Sequence, residues 1–308
     1  MGFILALHKN CYDYHIMSGI IRTETLGAYY WLTKPGIVYG NSITAVAGFL
    51  FASGRDINPL LLLAMLAGTS LVIASACVFN NYIDRDIDAT MARTKWRALA
   101  NGSISGRNAL IYGTILGILG IAILVAYTNP VVVALGLVGW MAYVVLYGYT
   151  KRHSVHGTLV GTISGSTPIL AGYTAATGHV DTAGLILFFV LVFWQMPHFF
   201  AIAIYRYDDY AAAKIPVLPV KKGLDKTKNQ MLLYVAAFVV ATLALFLLRF
   251  AGYVYGIGMA IIGVAWLRLA ARGFKAADTT KWARQLFRFS LIVLLTFSLL
   301  ISINAYVV

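Results

Sequence analysis

Nine apolar runs of about 20 residues, near residues 36 to 54, 58 to 82, 108 to 127, 131 to 149, 157 to 176, 183 to 204, 231 to 249, 252 to 271 and 287 to 307, leave this chain few ways to fold. A run of that length crosses the roughly 30 Å hydrocarbon core of a bilayer as a helix. Lipid offers no hydrogen-bond partner to an open backbone, and the runs lack the alternating ten-residue pattern of membrane strands. The fold class is therefore all-α, a polytopic membrane helix bundle of about nine transmembrane helices. Composition agrees, because 60% of the 308 residues are apolar and only 11% charged, far from the roughly one-quarter charged content of soluble domains.

The formal net charge is +13, which in a soluble protein would suggest nucleic acid. Distribution gives a different reading. Of the 24 Lys and Arg, Arg55 and Arg249 fall in loops on one side and the other 22 on the opposite side. The positive-inside rule then makes the N-terminus cytoplasmic and, with nine spans, the C-terminus external. The expected location is a bacterial cytoplasmic (inner) membrane, with membrane lipid as a partner and nucleic acid excluded. Residues 1–28 read as a cytoplasmic or interfacial extension and 29–308 as a single membrane domain. The apolar stretch Phe3 to Leu7 is too short for a cleaved signal. Cys11 and Cys77 lack metal-site spacing and, one in a cytoplasmic segment and one within a span, are not expected to pair.

Acids are scarce, yet Asn80-Asn81-Tyr82-Ile83-Asp84-Arg85-Asp86-Ile87-Asp88 closes an apolar run with three in five residues. Helical residues four apart differ by only about 40° in direction and about 6 Å in height, so Asn80, Asp84 and Asp88 form one polar stripe while Asp86 faces elsewhere. Two carboxylates at that spacing repel unless a cation sits between them, and an oxygen-only set suits Mg2+ rather than zinc or copper. An Asp at a helix end is by default a solvated cap, which suffices for Asp86 and Asp208. It does not suffice for the stripe, since ionisable groups bordering a membrane are costly and usually functional.

A second cluster ends the sixth run: Trp194-Gln195-Met196-Pro197-His198, then Tyr205-Arg206-Tyr207-Asp208-Asp209-Tyr210. His198, Tyr205 and Asp209 are seven and four residues apart, so one continuous helix would place them on one face. Both clusters fall on the same side by the topology count. They are expected to face one cavity, each supplying oxygen ligands to Mg2+ on a diphosphate. His198 is read either as functional or as a hydrogen-bonded core residue beside the Pro197 kink. Span-end Tyr and Trp are belt residues by default.

The string NNYIDRDIDATMARTKWR resembles the first aspartate-rich motif of the UbiA-type intramembrane prenyltransferases, with Asn80, Asp84 and Asp88 at the N-x-x-x-D-x-x-x-D positions. LTKPGIVYGN (Leu32 to Asn41), YTKRHSVHGTLVGTISG (Tyr149 to Gly165) and WQMPHFFAIAIYRYDDYAAAKIPVLPV (Trp194 to Val220) are similar to further motifs of its haem-farnesylating members. Trp96, Ala98 and Thr167-Pro168 depart from the usual pattern but remove no candidate ligand. The resemblance implies transfer of the farnesyl group of farnesyl diphosphate to a vinyl group of haem b, with addition of water and release of diphosphate. It also implies a product that goes to haem-copper terminal oxidases.

On that reading Mg2+ held by Asp84, Asp88 and Asp209, with Asn80 assisting, stabilises charge on the leaving group. Arg93, Lys95, Arg97, Lys151, Arg152 and Arg206 are expected to serve the phosphates. His198 or His153 is expected to ligate or orient haem, and Tyr205 to line the substrate site. Phe79, Tyr82, Trp194, Phe199 and Tyr205 are candidates for shielding an allylic cation. Prenylation of an aromatic quinone precursor or a chlorin is the second reading, and a transporter or non-catalytic assembly protein the third. Transporter sites lie near the midplane on broken helices, whereas these acids lie at the rim.

Overall fold

The computed structural model describes residues 21–306, and every regular element among them is helical. A first helix, α1 (Ile21–Leu32), precedes nine long ones: α2 (Pro35–Ser53), α3 (Pro59–Thr90), α4 (Gly106–Tyr127), α5 (Pro130–His153), α6 (Gly157–Thr177), α7 (Thr182–Tyr205), α8 (Leu224–Leu247), α9 (Tyr253–Arg272) and α10 (Thr279–Ser302). Most of the expected extension, residues 1–20, lies outside the described residues.

Helix starts follow from capping chemistry. Proline fills the first helical position of α2, α3 and α5, where a missing N–H costs nothing. Side-chain oxygens of Asn58, Ser105, Asn129, Asp181 and Asp278 accept the free first-turn amides of α3, α4, α5, α7 and α10.

Each expected run coincides with a helix, but only eight are long and apolar enough to cross a membrane. The exception is α6, rich in Gly, Ser and Thr. Its Ser166-to-Ala175 stretch is wholly buried by neighbouring helices, so protein rather than lipid surrounds it and apolarity is not demanded. Close approach replaces it: a Cβ on Gly172 would stand 1.9 Å from the Ala45 carbonyl oxygen, and one on Gly48 2.1 Å from that of Ile169. The α2–α6 crossing thus brings backbone against backbone.

Helix ends differ from the apolar boundaries. α8 begins at Leu224 rather than near 231, because Lys226 and Lys228 continue the helix past its apolar part. α3 runs to Thr90 rather than 82. With 32 residues it is about 48 Å long, about 18 Å more than a hydrocarbon core. Its last turns, which carry Asn80 to Asp88, therefore lie at and beyond the rim.

The bundle has two chemically different ends. At one, Arg55 donates to the Ala305 carbonyl at 3.2 Å and Asn304 accepts from the Gly252 amide at 2.8 Å, bringing the loops near Arg55 and Arg249 together. The remaining basic loops gather at the other end. The aromatic core of α8 to α10 sits aside from the site, with Trp266, Tyr255, Phe238 and Phe297 fully buried and Tyr255 donating to the Thr242 carbonyl.

Candidate active site

α3 presents Asn80, Asp84 and Asp88 as the stripe its spacing predicts, and all three are buried, at 2%, 1% and 2% exposure. Carboxylates held that far from water require compensation, and three cations from three other segments supply it. Lys34, between α1 and α2, donates to Asn80 Oδ1 at 2.5 Å. Lys151, near the end of α5, meets Asp84 Oδ2 at 2.6 Å. Arg97, in the turns after α3, meets Asp88 Oδ2 at 2.7 Å and reaches Asn81 at 3.4 Å. Thr94 fixes those turns by donating to the Asp88 carbonyl at 3.0 Å.

Lys34 is absent from the residues the sequence singled out. Its backbone is left-handed, with φ 51°, a conformation that costs a non-glycine residue of order 1 kcal/mol. Burial, and then the charge of nearby Arg97, pulls its ammonium down to about 8. A basic residue just before a span-opening proline was the available signal.

Tyr143 and Tyr147 were also missed. They lie on a π-helical segment, Ala142–Tyr147, within α5. Its widened turn stacks the two rings 5.5 Å apart. Asp84, Arg93 and Tyr210 are all within electrostatic reach of Tyr147, so the two acid-bearing segments do approach one another there.

Below this rim lies a cavity of about 440 Å³ between α2, α3, α5, α6 and α7. Lys151, Tyr147 and Tyr210 line its upper part, Val72, Thr69 and Ala171 contribute apolar and small side chains, and Trp194, His198 and Phe199 form one wall. His198 is held by Ser290: its Nδ1 lies 2.7 Å from Ser290 Oγ, whose own hydroxyl donates to Phe287 O, so Nδ1 carries the proton. Trp194 stacks on the same ring at 4.7 Å and donates to the Ser290 carbonyl at 2.7 Å. Nε2 is left as the imidazole's acceptor.

Several expected placements are revised. His198, Tyr205 and Asp209 do not share a continuous helix face: α7 ends at Tyr205, Arg206 leaves helical geometry, and Asp209 lies on a separate short helix, Tyr207–Ala212, 3.7 Å from Arg206. Among the described residues no three carboxylate, imidazole or thiol side chains converge on one point. Asp209 is thus not joined to Asp84 and Asp88 in a common set. Arg152 forms a two-pronged pair with Asp86 at 2.6 and 2.8 Å and also donates to the Ile83 carbonyl, which braces α5 against α3. His153 is exposed, stacked on Tyr149 at 4.3 Å, and does not line the cavity. Arg93 and Lys95 are exposed on the turns after α3. Tyr205 packs on Phe287 beneath Arg206 and Arg284. Of the aromatic candidates only Trp194 and Phe199 reach the cavity; Phe79 packs on Trp140 and Tyr82 beneath Arg85.

The donor set fits a hard divalent cation. Asp84 Oδ1 and Asn80 Nδ2 are buried with no hydrogen-bond partner, and an unpaired buried carboxylate oxygen in an otherwise compensated cluster is an open ligand position. An incoming anion would find cations already assembled beside it.

Residues 41–292 match the model of the UbiA prenyltransferase family. The chain is 50% identical to the protoheme IX farnesyltransferase of Yersinia pseudotuberculosis over 277 residues, 90% of this chain and 94% of that one. The same figures hold for the protein of that name in Citrobacter koseri. Among solved structures, a digeranylgeranylglyceryl phosphate synthase superposes with a TM-score of 0.78 at 21% identity, covering 92% of this chain and all of that one. A UbiA homologue from Archaeoglobus fulgidus bound to GPP and Mg2+ gives 0.63 at 17%, covering 89% and 99%. At such identities these structures establish the shared fold. Half-identity sustained along nine-tenths of the sequence establishes descent as well, and the chain belongs to the UbiA prenyltransferase family.

Proposed function

We propose that this prenyltransferase joins the farnesyl group of farnesyl diphosphate to a vinyl group of haem b, with water added and diphosphate released. The observation that carries the reading is a buried Asn80–Asp84–Asp88 stripe, each member latched to a cation, beside an apolar cavity that Lys151, the partner of Asp84, lines. A diphosphate with a long apolar tail matches both halves of that site. The choice of haem as acceptor is supported by the names of the half-identical relatives.

Mg2+ fits Asn80, Asp84 and Asp88, and when bound it would supply Lewis-acid stabilisation of the leaving diphosphate; Asp209, paired with Arg206 on its own short helix, would join only through the substrate. Lys34, Lys151 and Arg97 already stand at these groups and can transfer their charge-assisted hydrogen bonds to phosphate oxygens. Arg93, Lys95 and Arg206, on the turns after α3 and at the end of α7, are further candidate donors. Below them the apolar walls exclude water from the allylic cation formed as the C–O bond breaks, and the faces of Trp194 and Phe199 can offset its charge. His198, with Nδ1 fixed and Nε2 free to accept, is the imidazole available to a haem iron.

The charge asymmetry of the two ends supports a site facing the cytoplasm. The test is incubation of the purified protein with haem b, farnesyl diphosphate and Mg2+, followed by mass spectrometry. Mg2+-dependent hydroxyethylfarnesyl haem is the expected product. Diphosphate release with an aromatic acceptor and none with haem would overturn the choice of acceptor.

A further inference from the structure

Gln195 is a polar side chain, 5% exposed, placed on the apolar wall of the cavity. Its amide is oriented by its neighbours. Nε2 lies 3.0 Å from the Leu191 carbonyl, 3.3 Å from the Thr162 carbonyl and 3.0 Å from Ser166 Oγ. Backbone carbonyls only accept, so the nitrogen must face them and the oxygen must face away. Oε1 lies over the backbone of Gly165, another cavity residue, so close that a Cβ there would be 2.0 Å from it. No described residue donates a hydrogen bond to Oε1, and it is not sealed away from the cavity. The absence of a side chain at Gly165 is what lets this acceptor stand there.

An amide oxygen bared to an apolar chamber calls for a donor. The same wall carries Ser164 and Thr167, whose hydroxyls donate to the Gly161 and Ser164 carbonyls at 2.8 Å each and keep their lone pairs. A water lodges in an apolar cavity only where it finds two to four polar partners; Gln195 Oε1 is one, and the hydroxyls of Ser164 and Thr167 line the same cavity.

We propose that Gln195 is a positioning residue that holds, through Oε1, the water molecule added in the reaction. The inference rests on the haem-acceptor reading above. In that chemistry the C–O bond of farnesyl diphosphate breaks and the electrons of the vinyl group form a new bond to the farnesyl C1. This leaves a cation at the vinyl carbon attached to the porphyrin. The lone pair of the held water bonds to that carbon, and its proton passes to the released diphosphate, the base that the reaction itself generates. Without a water in place the cation instead loses a proton, giving an adduct lighter by one water.

The experiment compares products from haem b and farnesyl diphosphate for the wild-type chain, Gln195→Leu and Gly165→Ala. Gly165→Ala keeps the amide but forces its oxygen aside. Both variants should lower the ratio of hydrated to dehydrated farnesyl haem by about tenfold, the worth of one net hydrogen bond. Gln195→Glu, which keeps an acceptor, should restore at least part of that ratio. A merely structural role would slow total turnover and leave the ratio unchanged, and that outcome in both folded variants would overturn the proposal alone. A wild-type chain that farnesylates no haem would overturn the acceptor reading, and this proposal with it.

Discussion

Replacing Lys151 by methionine should remove one cation from the stripe while keeping the length and apolar bulk of the side chain. Among the described residues Lys151 Nζ is the one hydrogen-bond partner of the Asp84 carboxylate, whose side chain is 2% exposed and whose other oxygen already lacks a hydrogen bond. The variant therefore leaves a buried carboxylate without its direct partner. Breaking a buried ion pair from one side costs about 3–5 kcal/mol, much more than the intact pair contributes. At about 2–4 °C per kcal/mol, the melting temperature should fall by roughly 6 to 20 °C. Thermal unfolding in detergent, followed by tryptophan fluorescence without added metal, measures this. The double variant Lys151→Met/Asp84→Asn removes the orphaned charge and should recover most of the loss. A single variant that melts within a degree of wild type, or a double variant no more stable than the single, would refute the claim that Asp84 depends on Lys151.

Asp84→Ala and Asp88→Ala should each cut turnover at least 10²-fold, the scale of one lost electrostatic contact to the developing charge, while the protein still folds and inserts. Diphosphate release at the wild-type rate would contradict the role given to the stripe. Lys34→Gly relieves left-handed backbone strain and removes a charged donor at once. Because it also leaves the buried Asn80 Oδ1 without its charged donor, it should not raise the melting temperature, and it should weaken diphosphate binding about tenfold or more, as calorimetric titration would show. His198→Ala should weaken haem binding more than farnesyl diphosphate binding; equal losses would reduce His198 to support of the Pro197 region. Gly172→Val should destabilise the bundle by more than about 3 kcal/mol, since the clash is with the Ala45 backbone rather than a mobile side chain. An unchanged melting curve would refute the close-packed α2–α6 crossing.

The membrane bundle and the stripe were legible because each depends on a single periodicity: run length for the spans, and i, i+4 spacing for Asn80, Asp84 and Asp88. The helix ends were less so, as α3 and α8 continue through polar residues that an apolar window discards. The partners of the stripe were harder still. Arg97 returns to Asp88 through irregular turns, and Lys34 reaches Asn80 across 46 residues. Nothing in local spacing marks the π-helical turn that aligns Tyr143 with Tyr147. Nor does it show that Arg206 interrupts the helix expected to join His198 to Asp209.

The overshoot of α3 beyond the hydrocarbon slab has a thermodynamic consequence. On the proposed function it sets the bond to be broken at a boundary between two media, with the diphosphate at the charged rim and the prenyl tail in the apolar cavity. Once parted, the two fragments prefer different phases. Partition then opposes their recombination, and the geometry of one long helix favours the forward direction.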